Sequence, residues 1–164
     1  MVRRSRQEGD PVGRATRFAV GVGAASLTLL GFGAGKAEAF VEDSGTASVS
    51  FLADGTRITC TIEGDSSVGY DAQRGFSNMQ ARTSLVGGPP ACEQRLFVIS
   101  AEAAYLRDGH QEIEQFGASW PKQGVSAFAT VEGVVVSMDV RHEAVFSCDQ
   151  EPGDCFASVV TSPK

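Results

Sequence analysis

The residues best equipped for chemistry lie near the end of the sequence, in VFSCDQEPGDCFASVV (Val145 to Val160), where Cys148 and Cys155 bracket three acids, a proline and a glycine. A zinc site usually draws two ligands from positions two to four residues apart, so that one tight turn aims both at the ion. Here six residues intervene. The C-x-x-C spacing of thiol-disulfide catalysts is absent as well. Asp149, Glu151 and Asp154 offer oxygens, but not in the ordered pattern of a calcium-binding loop. Neither a metal nor a cofactor is therefore expected. A disulfide across a turn explains the stretch more simply, with Pro152 and Gly153 as the central pair of a type II turn over Glu151 to Asp154. Closing eight residues in this way contributes on the order of 2.5 kcal/mol. The functional question that survives is whether the three acids, held by the bridge, are presented to a basic partner.

Two histidines are the other titratable candidates. His142 falls on the apolar parity of its segment, as a hydrogen-bonded core or rim histidine would. It could serve as a general base only with a nucleophile and an orienting acid, and no G-x-S-x-G context is present. His110 follows Asp108-Gly109 and reads as an exposed turn residue. Glu112 and Glu114 lie two apart on one strand face, about 7 Å between β-carbons. Glycosidases use carboxylate pairs at such distances, usually from different strands, and a solvated strand face accounts for these two. Among the aromatics, Tyr70 and Trp120 sit where a loop would expose them and are the candidate ligand platform.

These groups belong to an exported chain. Arg3, Arg4, Arg6, Arg14 and Arg17 precede 18 uncharged residues, and Ala37-Glu38-Ala39 supplies the small-x-small pattern of a signal-peptidase site. The expected boundaries are a signal peptide over 1–39 and one domain over 40–164, with no stable membrane insertion once the peptide is removed. That domain has 125 residues, eight basic and 17 acidic, a net charge of about −9. Such a balance excludes nucleic acid as a partner, because phosphate recognition needs clustered Lys and Arg. All four cysteines lie in the exported part, and an even count in a small secreted domain reads as two disulfides. Of the three possible pairings, Cys60 with Cys92 and Cys148 with Cys155 is favoured, since the second pair already flanks a turn.

The elements that must position these residues repeat every two residues. Val49 and Phe51 alternate with polar neighbours, Asp54-Gly55 offers a hairpin turn, and Ile58, Cys60 and Ile62 alternate again. Glu63 to Gln94 is rich in Gly, Ser, Asp and Pro around a single strand at MQARTSLV, and reads as the region of binding loops. Alternation resumes with Phe97, Ile99, Ala101, Ala103 and Tyr105 on one face, then turns back at Asp108-Gly109. VSAFATV and VVVSMDVRHEAVF read as a third hairpin across Glu132-Gly133, with Val134, Val136, Met138, Val140, His142, Ala144 and Phe146 on the buried face. Seven or eight strands, short turns and no helix argue for an all-β, antiparallel β-sandwich over a closed barrel, with the immunoglobulin-like arrangement as the candidate plan.

The Arg-rich start ending in AEA, the strand-turn YLRDGHQE and the close VFSCDQEPGDCFASVVTSPK resemble the small secreted β-proteins of unknown function common in actinomycete bacteria. That resemblance implies a secreted β-fold without implying an activity. The acidic plan with one short disulfide loop is also similar to the neocarzinostatin-type apoproteins, although Cys60 and Cys92 lie much further apart than their first pair. The secreted subtilisin inhibitors share two disulfides but differ in spacing.

The sequence thus leads to a secreted, non-enzymatic module, extracellular or in the cell envelope, that binds a protein or a small apolar molecule. Its candidate contact residues are Tyr70, Trp120, Asp149, Glu151 and Asp154. A small hydrolase using His142 or His110 with a carboxylate, and a structural envelope component, are the alternatives.

Overall fold

Aspartate-glycine pairs end two of the strands through backbone conformations that few other residues adopt. Asp54 and Gly55 have φ of 50° and 74°, and Asp108 and Gly109 have 52° and 69°, the signature of type I′ turns, whose twist matches that of the strands they join. A computed structural model describes residues 40–120, 124–150 and 153–164, without the side chains of 111 and 112. The expected signal peptide lies outside the described residues.

In chain order the elements are β1 (Phe40–Ala53), β2 (Thr56–Asp71), β3 (Phe76–Gly87), a short helix α1 (Ala91–Arg95), β4 (Leu96–Arg107), β5 (His110–Trp120), β6 (Gly124–Glu132), β7 (Val135–Ser147) and β8 (Asp154–Thr161). They form two four-stranded antiparallel sheets, ordered β1-β2-β3-β6 and β5-β4-β7-β8. The all-β, two-sheet expectation holds, and so do both disulfides, Cys60–Cys92 and Cys148–Cys155.

Four local expectations are corrected. The segment after Glu63 is strand through most of its length, and two of its glycines, Gly64 and Gly69, mark places where another group comes close. A β-carbon on Gly64 would lie 2.3 Å from the His142 ring, and one on Gly69 would lie 2.6 Å from the Phe40 ring. Glu132-Gly133 does not close a hairpin, because β6 pairs with β3 and β7 with β4; Gly133 (φ 93°) carries the chain from one sheet to the other. The GGPP segment ends in helix α1, entered through Pro90 in helical conformation, a favourable place for a residue that has no N–H to bond. Finally, Val136 is 55% exposed although it shares the buried parity, because the β4–β7 register shifts at Leu106/Arg107.

The same strand pair holds a second irregularity with larger consequences. Leu96 pairs with Phe146 but Val98 pairs with Val145, so Phe97 is an extra residue in β4. A bulge of this kind turns the flanking side chains onto new faces. Leu96 takes the buried place and Phe97, expected inside, is 70% exposed.

Between the sheets lie two apolar clusters. One is built around Phe51, Ile58, Ile62, Leu96, Ile99 and Phe146 with three of the cysteines, the other around Met79, Tyr105, Met138, Val140 and several alanines. Phe51 of one sheet meets Phe146 of the other at a ring distance of 5.5 Å, a contact worth about 1 kcal/mol beyond its burial. His142 separates the clusters on β7, with Val140 on one side and Ala144 on the other.

Candidate functional site

His142 is wholly buried, with Thr83 and Thr161 beside it and Ser66 beyond. Its Nδ1 lies 2.8 Å from Thr83 Oγ1, and its Nε2 lies 2.8 Å from Thr161 Oγ1. Thr83 gives its only hydroxyl proton to the Ser100 carbonyl at 2.8 Å, so Nδ1–H must donate to Thr83. Neutral imidazole then accepts at Nε2 from Thr161, which in turn accepts from Ser66 at 2.6 Å. Burial pushes the His142 pKa down to about 4, opposed by the charge of Asp43. Among the described residues only hydroxyls are hydrogen-bonded to the ring, so the orienting carboxylate that a general base requires is not bonded to it.

His110 lines a cleft of about 460 Å3 with Gly75, Arg107, Asp108, Glu132 and Gly133. Three chain reversals meet here. Gly133 N–H donates to the Gly75 carbonyl (2.8 Å), Asp108 N–H to the Val134 carbonyl (2.6 Å), and Val134 N–H to Asp108 Oδ1 (2.6 Å). Asp108 is thereby engaged in joining turns. Nearby, Arg107 reaches Glu114 at 3.5 Å, and Glu114 accepts from the Tyr105 hydroxyl. Burial and that bond push the Tyr105 pKa up to about 12. Among the described residues the lining includes no serine, threonine or cysteine to act as a nucleophile. A second cleft, of about 410 Å3, runs along β4 and β5 over Gly117.

The acids of the cysteine loop separate in their roles. Asp149 Oδ1 takes a bond from Arg95 at 2.9 Å and Oδ2 takes one from the Asp54 backbone N–H at 2.5 Å, while Arg95 also reaches Asp54 Oδ1 at 2.7 Å. The bond to Asp54 raises the Arg95 pKa. Asp149 therefore ties the loop to the β1–β2 turn and to α1. Glu151 and Pro152 lie outside the described residues. The expected turn over Glu151 to Asp154 falls partly on those residues; beside it, Gly153 N–H donates to the Gln150 carbonyl at 2.5 Å. Asp154 is exposed at the start of β8. Tyr70 and Trp120 are 37% and 57% exposed, but at opposite ends of the molecule: Tyr70 adjoins the β2–β3 turn near the converging reversals, and Trp120 ends β5 at the far side. They do not form one platform.

A different group comes together on the outer face of the β5-β4-β7-β8 sheet. Val98 pairs with Val145, and Val145 with Phe156, which sets their side chains in a row at cross-strand spacing. Phe97 stands next to them on the bulge. Phe97 and Phe156 are 70% and 55% exposed, together on the order of 250 Å2 of aromatic surface. Asp154, two residues before Phe156, edges this patch, as does Glu143, which takes a bond from Arg141 at 2.7 Å. The run LFVI was the only sequence signal for it, because four consecutive apolar residues cannot all face one core.

Comparison of the sequence with protein-family models and with curated proteins finds no match. Among the described residues no cluster of three or more His, Cys, Asp or Glu is placed to hold a metal, and no helix is long and apolar enough to cross a membrane.

Proposed function

We propose that the protein is a secreted interaction module that binds another protein through the Phe97, Val98, Val145 and Phe156 patch. The observation that supports this most directly is the β4 bulge. It turns a phenylalanine out of the core onto the face where Phe156 stands exposed two strands away, with Val98 and Val145 between them, an apolar surface that gains from being covered. Asp154 at the edge of the patch, with the acidic balance of the domain, favours a partner whose apolar face is rimmed by Lys and Arg.

Export fits the same reading, since every cysteine of the chain is bridged, as expected in an oxidising compartment. An immunoglobulin-like plan is supported by the interlocking of the sheets: β3 and β4 are consecutive and lie in different sheets, and their neighbours β6 and β7 are consecutive too. Modules of that plan commonly act by surface contact.

The reading is tested by replacing both aromatics, Phe97→Ser with Phe156→Ser, and comparing wild type and variant by size-exclusion chromatography of the exported fraction. Wild type is expected in a larger complex and the folded variant as a free monomer. Identical elution of both would overturn the assignment.

A further inference from the structure

His142 joins the two sheets one strand in from the edges that β1 and β8 form. It lies on β7, and its ring is held by Thr83 of β3 in the opposite sheet and by Thr161 of β8, which is bonded to Ser66 of β2. The same seam is closed by Asp43 of β1, whose Oδ2 accepts from Ser162 N–H at 2.7 Å. Gly45 closes it too, where an added β-carbon would lie 2.7 Å from Val159 Cγ2. No backbone ladder joins β1 to β8. Side-chain bonds and packing alone hold this edge shut.

We propose that His142 and its hydroxyl chain form an acid-sensitive latch that holds β7 and β8 to β2 and β3, keeps shut the seam that β1 and β8 close, and lets those two strands part when the imidazole is protonated. The chemistry is set by proton counting. Neutral His142 donates at Nδ1 and accepts at Nε2. An imidazolium donates at both, so the Thr161 and Ser66 hydroxyls would have to reverse, and the charge would remain in a site with no solvent. Opening the seam hydrates the ring and removes both costs.

The groups that face the ring are few. From β2 it meets Gly64, from β3 Thr83, from β4 its pairing partner Ala101, and from β8 Val159 and Thr161. Asp43 is the charged group directed at it, and favours protonation. Glu63, Asp65, Arg82, Glu102, Arg141 and Glu143 occupy the alternate positions of those strands and point outward. Burial and the Asp43 charge together place the ring's pKa near 4. The drive to release therefore grows as pH falls from about 6.5, where the opened ring takes up its proton, toward about 4, where the closed ring does.

Hydrogen exchange between pH 7 and pH 4, corrected for intrinsic rates, tests the latch. Wild type is expected to lose protection along β1 and β8 as pH falls, while β4 and its ladder to β7 stay protected. A folded His142→Asn variant should lose most of that pH dependence. Equal pH dependence in wild type and His142→Asn would overturn the proposal. Should that variant not fold, nitrogen NMR of the wild-type imidazole decides: the ring must stay neutral, protonated at Nδ1, until the seam loses protection. A charged ring inside a fully protected seam would contradict the latch.

Discussion

A β-carbon placed on Gly64 would lie 2.3 Å from Cγ of His142, so the glycine is the floor on which the buried imidazole rests. Backbone there cannot withdraw without breaking β2 from its neighbours. Gly64→Ala should therefore cost roughly 1–3 kcal/mol or more through overpacking. Gly69→Ala should cost much less, because its close neighbour is the ring of Phe40, which is 49% exposed and free to swing aside. Thermal denaturation of both variants separates them; equal losses would show that the imidazole does not confine position 64.

Stability should fall in mild acid, and the direction follows from His142. The unfolded chain takes up a proton near pH 6.5, whereas the folded chain does so only near pH 4. Above pH 6.5 both forms are neutral and the group has no effect. As pH falls through that window the unfolded state binds more protons, and roughly 3 kcal/mol of stability is lost. Urea midpoints of wild type and His142→Asn should diverge at neutral pH and converge toward pH 4. A constant difference would rule out this origin.

Each disulfide contributes by restricting the unfolded chain. Replacing Cys148 and Cys155 with serine should cost on the order of 2.5 kcal/mol, and replacing Cys60 and Cys92 on the order of 3.7 kcal/mol. Chemical denaturation measures both. Mass analysis after alkylation without reduction should find no labelled thiol.

Asp149 ties the cysteine loop to Asp54 and Arg95. Its replacement by alanine should loosen the loop and speed reduction of Cys148–Cys155 by a mild thiol roughly fivefold, as expected for the loss of modest hydrogen bonds. The Cys60–Cys92 bridge, with Cys60 fully buried, should reduce at an unchanged rate. Faster reduction of both bridges would indicate global unfolding instead.

Much of the fold is legible in residues that act locally. The Asp-Gly pairs name two turns, the period of two names the strands, and spacing favours the cysteine partners that the structure joins. His142 betrays its burial by parity. What escapes the sequence depends on contacts made far along the chain. Glycines at 64 and 69 look like breaks, and only the approach of His142 and Phe40 shows them to be strand. Gly133 looks like a hairpin turn because the two flanking strands alternate equally well; nothing local says that they enter different sheets. Asp149 looks free until Arg95 and Asp54, remote in sequence, are brought to it. The patch is hidden by one extra residue in β4, since perfect alternation would send Phe97 inward.

That patch is the part of the account on which function depends, and it is tested most directly by photo-crosslinking. A benzophenone side chain is placed at position 97 or 156 of the protein in the cells that make it, and for comparison at Phe128, which is 67% exposed on the outer face of the other sheet. One discrete adduct of the same mass from positions 97 and 156, absent from position 128, is the predicted result. Adducts from all three positions alike, or none from 97 and 156, would contradict a contact surface at the bulge.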